Sequence, residues 1–387
     1  MSREKIVSVL LVIITYIIAT GVSYTLFSQK GFTQNTADPT SQPQMGNKDG
    51  LAFDDTLPKT EPCPLNGGKY SKKQREWWEK HRPVGVMIEN HSEARPQSGL
   101  SAADVIYEIV AEGGITRFLA IFHCQDGGTI GPIRSARTYF LDFVSEYGSN
   151  PLYVHVGGAN QPGPADALSQ ITSYGWTGYN DLNQFSIGFP TFWRDYDRLG
   201  HEAATEHTMY STTEKLWQFA SLRGLKNVDK SGVPWSEDFV EYSFKDDSVA
   251  SPKTQAIHLE FWAGYSAYFV DWTYDSSSNM YKRNVGGTPQ VDRNNNRQLT
   301  AKNIAVLFMI ESNANDGYED NAHLLYRTKG AGKALVFVDG KEIKGTWRKD
   351  GRISRTLFFD NNGSPIQFNR GTIWFEILPA YGVIDVR

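Results

Sequence analysis

Asp104-Val-Ile-Tyr-Glu-Ile-Val-Ala-Glu112, Gly113-Gly114 and Thr116-Arg-Phe-Leu-Ala-Ile-Phe122 are the stretch on which the fold turns. β-Branched and aromatic residues fill both arms and two glycines separate them, the composition of a β-hairpin. Ser101 and Asp104 also make a helix-capping pattern, so a helix from Ala102 to Glu112 competes, and the hairpin is preferred. Glu108 and Glu112 are four apart. Four residues return to one face of a regular strand and to adjacent turns of a helix, so either reading pairs the two carboxylates. Arg117, across the glycine turn, can reach the same face.

Working outward, Val84 to Glu89 is an apolar run suited to a buried strand. Before it, Ser71 and Gln74 cap a helix over Ser71–His81 that Pro83 stops. After the hairpin, Phe140, Phe143, Val144 and Tyr147 recur at helical spacing within Ser135–Tyr147. Leu152 to Val156 reads as a strand, and Gly157-Gly158 leads to a helix near Pro164–Ile171. Ser211-Thr-Thr-Glu214 is a capping box for a helix ending near Gly224. This alternation predicts an N-terminal mixed α/β domain, residues 61–240. From Ala256 onward short β-rich runs are broken by turn residues. Asp339-Gly340 between Ala334–Val338 and Lys341–Thr346 is a strong hairpin signal. An antiparallel β-rich C-terminal domain, residues 250–387, follows as the expectation, built as a small barrel or sandwich. The fold class is therefore α+β.

Ahead of both domains, Ile6 to Phe27 carries no charge. As a helix it rises about 33 Å, enough to cross a bilayer core. Arg3 and Lys5 precede it and Lys30 follows, so the C-terminal bulk lies outside the cytoplasm of a bacterial membrane. Residues 1–27 read as an uncleaved transmembrane signal anchor, with a signal peptide cleaved near Ala19-Thr20-Gly21 as the competing reading. Residues 28–60, rich in Thr, Gln, Asn, Pro and Gly, read as a flexible stalk. The net charge of -4 and the lack of a Lys/Arg stripe argue against a nucleic-acid surface. Cys63 and Cys124 are candidates for one disulfide outside the cytoplasm, with two unpaired thiols as the alternative. No metal site and no cofactor are expected.

Candidate chemistry gathers in the first domain. Arg134 and Arg137 stand at the predicted start of a helix, where the backbone already carries partial positive charge. Either a bound anion or internal partners such as Glu108, Glu112 or Asp104 must compensate them. His155, beside Gly157-Gly158, and His207, before the capped helix, are candidate acid/base groups with Glu108 and Glu112. His201-Glu-Ala-Ala-Thr-Glu-His207 is one residue too long for two histidines on one helix face. Gly157-Gly-Ala-Asn-Gln-Pro-Gly163 lacks the Lys-Ser/Thr ending of a phosphate loop, and no Gly-x-Ser-x-Gly elbow occurs.

Arg82-Pro-Val-Gly-Val-Met-Ile-Glu-Asn90, Ala94-Arg-Pro-Gln-Ser-Gly-Leu-Ser101, Glu112-Gly-Gly-Ile-Thr-Arg-Phe118 and Ile130-Gly-Pro-Ile-Arg-Ser-Ala-Arg137 resemble the YerB-like family of bacterial lipoproteins. Gly345-Thr-Trp347 and Gly371-Thr-Ile-Trp374 are similar to that family's C-terminal part, so the resemblance spans roughly residues 60 to 380. It implies an exported two-domain protein on the outer face of a membrane, and it adds Asn90 and Arg95 to the candidate ligand-binding residues Arg117, Arg134 and Arg137. No lipidation cysteine follows the hydrophobic run. Gln290 stands where relatives are expected to carry His.

Two functions compete. One is a non-catalytic envelope module that binds wall glycan, peptide or a protein partner. The other is an enzyme on envelope glycan or peptide, with Glu108 and Glu112 as acid and base and the arginines holding an anionic group. The absence of a recognised catalytic motif favours the module.

Overall fold

The structure is a computed structural model that describes residues 50–248 and 256–387. The predicted anchor and most of the predicted stalk lie outside the described residues. Among the described residues no helix is long and apolar enough to cross a membrane. The end of the predicted stalk is not free: the Leu51 N–H donates to Asp126, Phe53 packs edge-on against Trp77, and Lys59–Pro62 pairs with Lys69–Ser71.

The fold is two-domain and mostly β, with few helices. The deciding stretch is a hairpin, Val105–Glu112 against Ile115–Phe122. The competing helix does not form; a single 3-10 turn, Leu100–Ala102, precedes the strand. Gly113 and Gly114 both take positive φ, 54° and 74°, as a tight two-residue turn between right-twisted strands demands.

The hairpin sits near the middle of a ten-stranded mixed sheet. On one side come Val84–Glu89, Leu152–His155 and Asp181–Asn183. On the other side Ile373–Pro379 pairs parallel with Val105–Glu112 and leads to Asn303–Met309, Gly330–Val338, Lys341–Lys349 and Leu357–Asp360. The two sequence halves thus share one backbone ladder. The Asp339-Gly340 hairpin forms as read, but its strands continue the N-terminal sheet and do not close a barrel of their own. A smaller antiparallel sheet is built around Ala256–Glu260, Val270–Asp275, Met280–Val285 and Val383–Val386, and Glu311–Asn313 pairs separately with Leu324–Tyr326.

Period-two alternation decides what covers each face of the large sheet. Tyr107 points to the helical side, stacked on Phe143 of the helix Thr138–Val144. Phe118 and Trp374 point to the other side, where Trp374 meets Trp272 of the smaller sheet edge-on. Trp272, Trp347 and Trp374 are fully buried, and such rings dominate the apolar area removed from water.

The helices are shorter than the periodicity predicts. Ser135–Tyr147 yields Thr138–Val144, and Pro164–Ile171 yields Ala167–Ser173. Ser71 caps Lys72–Trp78 as read. For Thr213–Leu222 the cap is Thr212, whose hydroxyl accepts from the Lys215 N–H, while Ser211 donates to the Thr191 carbonyl. Cys63 and Cys124 form a disulfide over the buried Asp104, which accepts from the His123 and Cys124 N–H groups.

Candidate functional site

Regular alternation would put Glu108 and Glu112 on one face. They are on opposite faces. The register of the hairpin shifts between Val110 and Glu112, so Ala111 is an extra residue and Glu112 lies opposite Ile115. Such a bulge turns the following side chain over. Glu108 faces the smaller sheet, whereas Glu112 joins Arg117 on the helical face. The predicted carboxylate pair does not exist.

Glu108 is fully buried in a closed polar network. It accepts from the Thr116 hydroxyl at 2.6 Å, from Asn90 Nδ2 at 3.2 Å and from Arg283. Arg283 also donates to Glu376 at 2.7 Å and to Gln290 at 2.6 Å, and its guanidinium lies 4.4 Å from the centre of the Trp374 ring. Glu376 stands opposite Glu108 on the neighbouring strand. Burial, and then the Glu108 carboxylate, push the Glu376 carboxyl up to about 8, against the pull of Arg283. Gln290, the residue singled out as a departure from relatives, donates to Gln97 at 3.0 Å, and Gln97 donates to Asn90 at 2.8 Å. Arg95 donates to Asn90 and lies over Tyr268. Burial drops its guanidinium to about 10. Asn90 and Arg95 therefore brace this network.

The opposite face gathers the other arginines. Glu89 accepts from Arg134 Nε at 2.6 Å and lies 3.8 Å from Arg117. Glu112 accepts from Arg117 at 2.9 Å and from Arg137. Burial would raise the Glu89 carboxyl, but Arg117 and Arg134 overcome it and hold the group at about 2. Arg137 is the N-cap residue of Thr138–Val144, and Arg134 lies three residues earlier, outside any helix or strand. Arg137 therefore does stand at the helix start, without a side-chain cap bond, and the internal carboxylates Glu89 and Glu112 compensate all three arginines. Three guanidiniums, Arg117, Arg134 and Arg137, meet two carboxylates, Glu89 and Glu112, which leaves one positive charge over.

Arg134, paired with Glu89, connects this cluster to the wall of a cleft of about 630 Å³. Gly157, Gly158, Asn183, Phe185, Arg194 and Glu206 line the same cleft. Phe185 stands mostly in solvent at its edge. His155 is not available to it. One ring nitrogen meets the Gly157 carbonyl and the other Asp181, each at 2.6 Å, with the ring fully buried. His207 ends the 3-10 turn Thr205–His207, whose Thr205 and Glu206 line the cleft, and burial lowers its imidazole against the pull of Glu89, with His91 and Arg134 adding to the lowering. The sequence reading missed Glu89, Arg194, Phe185, Arg283 and Glu376. A charge at the end of the buried Val84–Glu89 run was a usable signal for Glu89. Nothing local marked Arg283.

The described family that matches is "Protein of unknown function (DUF3048)": its N-terminal domain matches residues 68–226 and its C-terminal domain residues 257–375. The chain is similar to the Bacillus subtilis (strain 168) protein named "Putative lipoprotein YerB", 30% identical over 331 residues that cover 85% of this chain and 89% of that protein. It is likewise similar to the crystal structure of the YerB protein from Bacillus subtilis. That match has a TM-score of 0.68 and 26% identity, and covers 84% of this chain and 100% of the other.

Proposed function

The chain belongs to the YerB-like family with its paired DUF3048 domains, and on that premise we propose that it is a membrane-associated extracytoplasmic module that binds an anionic envelope ligand without transforming it. The apolar segment Ile6–Phe27 would supply a single-pass anchor, and the disulfide suits an oxidising compartment. The relative's name, which calls it a lipoprotein, supports attachment to a membrane.

One observation carries the reading: the cleft bordered by Arg134 and Arg194 adjoins an arginine cluster with one uncompensated positive charge. Guanidiniums there offer forked donors to a carboxylate or phosphate, and Phe185 offers an aromatic face to a sugar ring or apolar side chain. Wall peptides and anionic wall glycans combine both features. The enzyme reading is less well supported. Glu108 is sealed within the protein, Glu112 is clamped by two arginines and His155 is bonded on both sides. Among the described residues the only carboxylate lining the cleft is Glu206.

Thermal unfolding with and without soluble wall fragments tests the proposal. A fragment should raise the midpoint of the wild type, and Arg194→Ala and Phe185→Ala should each remove most of that rise. No shift with any fragment, or an equal shift in both variants, would overturn it.

A further inference from the structure

We infer that His91, Glu93 and His207 form a binding site for one first-row divalent metal ion of the zinc class. The three residues come from separate stretches that the fold brings together. His91 and Glu93 flank the short 3-10 turn Ser92–Ala94 that follows Val84–Glu89, and His207 ends the turn Thr205–His207. One ligand atom from each lies within 4.8 Å of the others. The two imidazole rings face each other, 4.8 Å between centroids and 10° from parallel.

His207 is the fixed member of the cluster. It is 5% exposed, and its Nδ1 is buried with no hydrogen-bond partner. Its Nε2 lies 4.0 Å from Glu93 Oε2, too far for a hydrogen bond. The orphaned Nδ1 faces Glu89, so the site rests on the gathering of the three ligand atoms, with burial of the His207 ring holding its Nε2 toward Glu93. Two imidazoles and one carboxylate are the donor set that zinc and its neighbours favour over magnesium or calcium.

The geometry needs adjustment: stacked rings point their in-plane lone pairs side by side, so the less buried His91 ring must turn for both to reach one ion. Metal–ligand bonds of about 2.0–2.2 Å place neighbouring ligand atoms roughly 3.3 Å apart, so the cluster must close by about 1.5 Å at its widest. Glu93 can move, since its side chain is 58% exposed. His91 Nδ1 accepts from the Glu93 N–H at 3.3 Å, which leaves Nε2 as the ligand atom. Binding there would shift the ring proton to Nδ1 and give up that one long bond. Glu89, 3.8 Å from His207 Nδ1, is the nearest orienting group, and Arg134 bonded to Glu89 is the nearest opposing charge. The His201…His207 spacing that fails as a helix motif is irrelevant to this arrangement, because the second imidazole is His91.

The test is calorimetric titration of ZnCl2 into the chelator-stripped full-length protein, with no wall fragment present, so that its outcome is independent of what the cleft binds. Cobalt substitution read by visible absorption accompanies it. One equivalent should bind, and Co2+ should show the absorption bands of a low-coordinate nitrogen/oxygen site. His91→Gln and Glu93→Gln, at the two less buried of the three positions, should each weaken binding about ten-fold or more. His207→Ala should weaken it further, and should it fail to fold the other two variants decide. Absent heat and absent cobalt bands would overturn the site. Unchanged affinity in His91→Gln and Glu93→Gln would also overturn it, placing the ion elsewhere, such as at His258 with Asp271 and Glu260.

Discussion

At the scale of the residue, one guanidinium holds together two carboxylates that face each other across neighbouring strands. Arg283, Glu108 and Glu376 are all fully buried. Removing the cation leaves charge stranded in a medium that solvates it poorly. Arg283→Met should therefore cost about 3–5 kcal/mol in urea unfolding, the usual range for breaking a buried pair from one side. Glu376 adds a pH dependence with a definite sign. Its folded pKa is raised, from 4.5 to about 8. Its share of stability is then complete below the unfolded value and is lost as pH rises through the folded one. Between roughly pH 4.5 and 8 the wild-type midpoint should fall relative to Glu376→Gln, whose side chain stays neutral throughout. Parallel profiles across that window would contradict the assignment.

At the scale of the element, the central hairpin depends on its two glycines and on one extra residue. Gly113 and Gly114 both occupy the left-handed region, where a Cβ costs about 1 kcal/mol or more. Gly113→Ala meets open space, so it should show that backbone cost alone. A Cβ on Gly114 would fall 2.3 Å from the Tyr265 ring. Gly114→Ala should therefore be the more destabilising of the two in denaturant titration, and the reverse order would be inconsistent with the turn described here. The disulfide acts on the segment before the first sheet strand. Cys63 and Cys124 are 61 residues apart, and closing a loop of that length stabilises the fold by about 4 kcal/mol in the chain-entropy account. Reduction should lower the thermal midpoint and release the segment around Cys63 to protease.

At the scale of the whole molecule, the parallel pairing of Ile373–Pro379 with Val105–Glu112 makes one sheet out of two sequence halves. Separating the halves would leave long unpaired edges on both. Residues 61–240 expressed alone should lack a cooperative unfolding transition and should recover one on mixing with residues 250–387. Two independent transitions in the intact chain would count against this. The buried Glu146 argues the same way, since it accepts from Tyr107 on one half and from Lys349 and Thr356 on the other.

The sequence alone determined the hairpin, the turn at Asp339-Gly340, the cap at Ser71 and the family, because each rests on neighbours in the chain: alternation, turn chemistry, a capping side chain, a run of residues. It also placed Asn90, Arg95, Arg117, Arg134 and Arg137 in the part of the chain where the polar networks lie. Tertiary structure decided how those residues divide between two faces, since a single bulge at Ala111 reverses Glu112 and no local pattern announces it. It likewise decided that Arg283 and Glu376 complete the network around Glu108 and that His91 meets His207. Those contacts join residues far apart in the chain, and only the shared sheet and the layers packed against it bring them within reach.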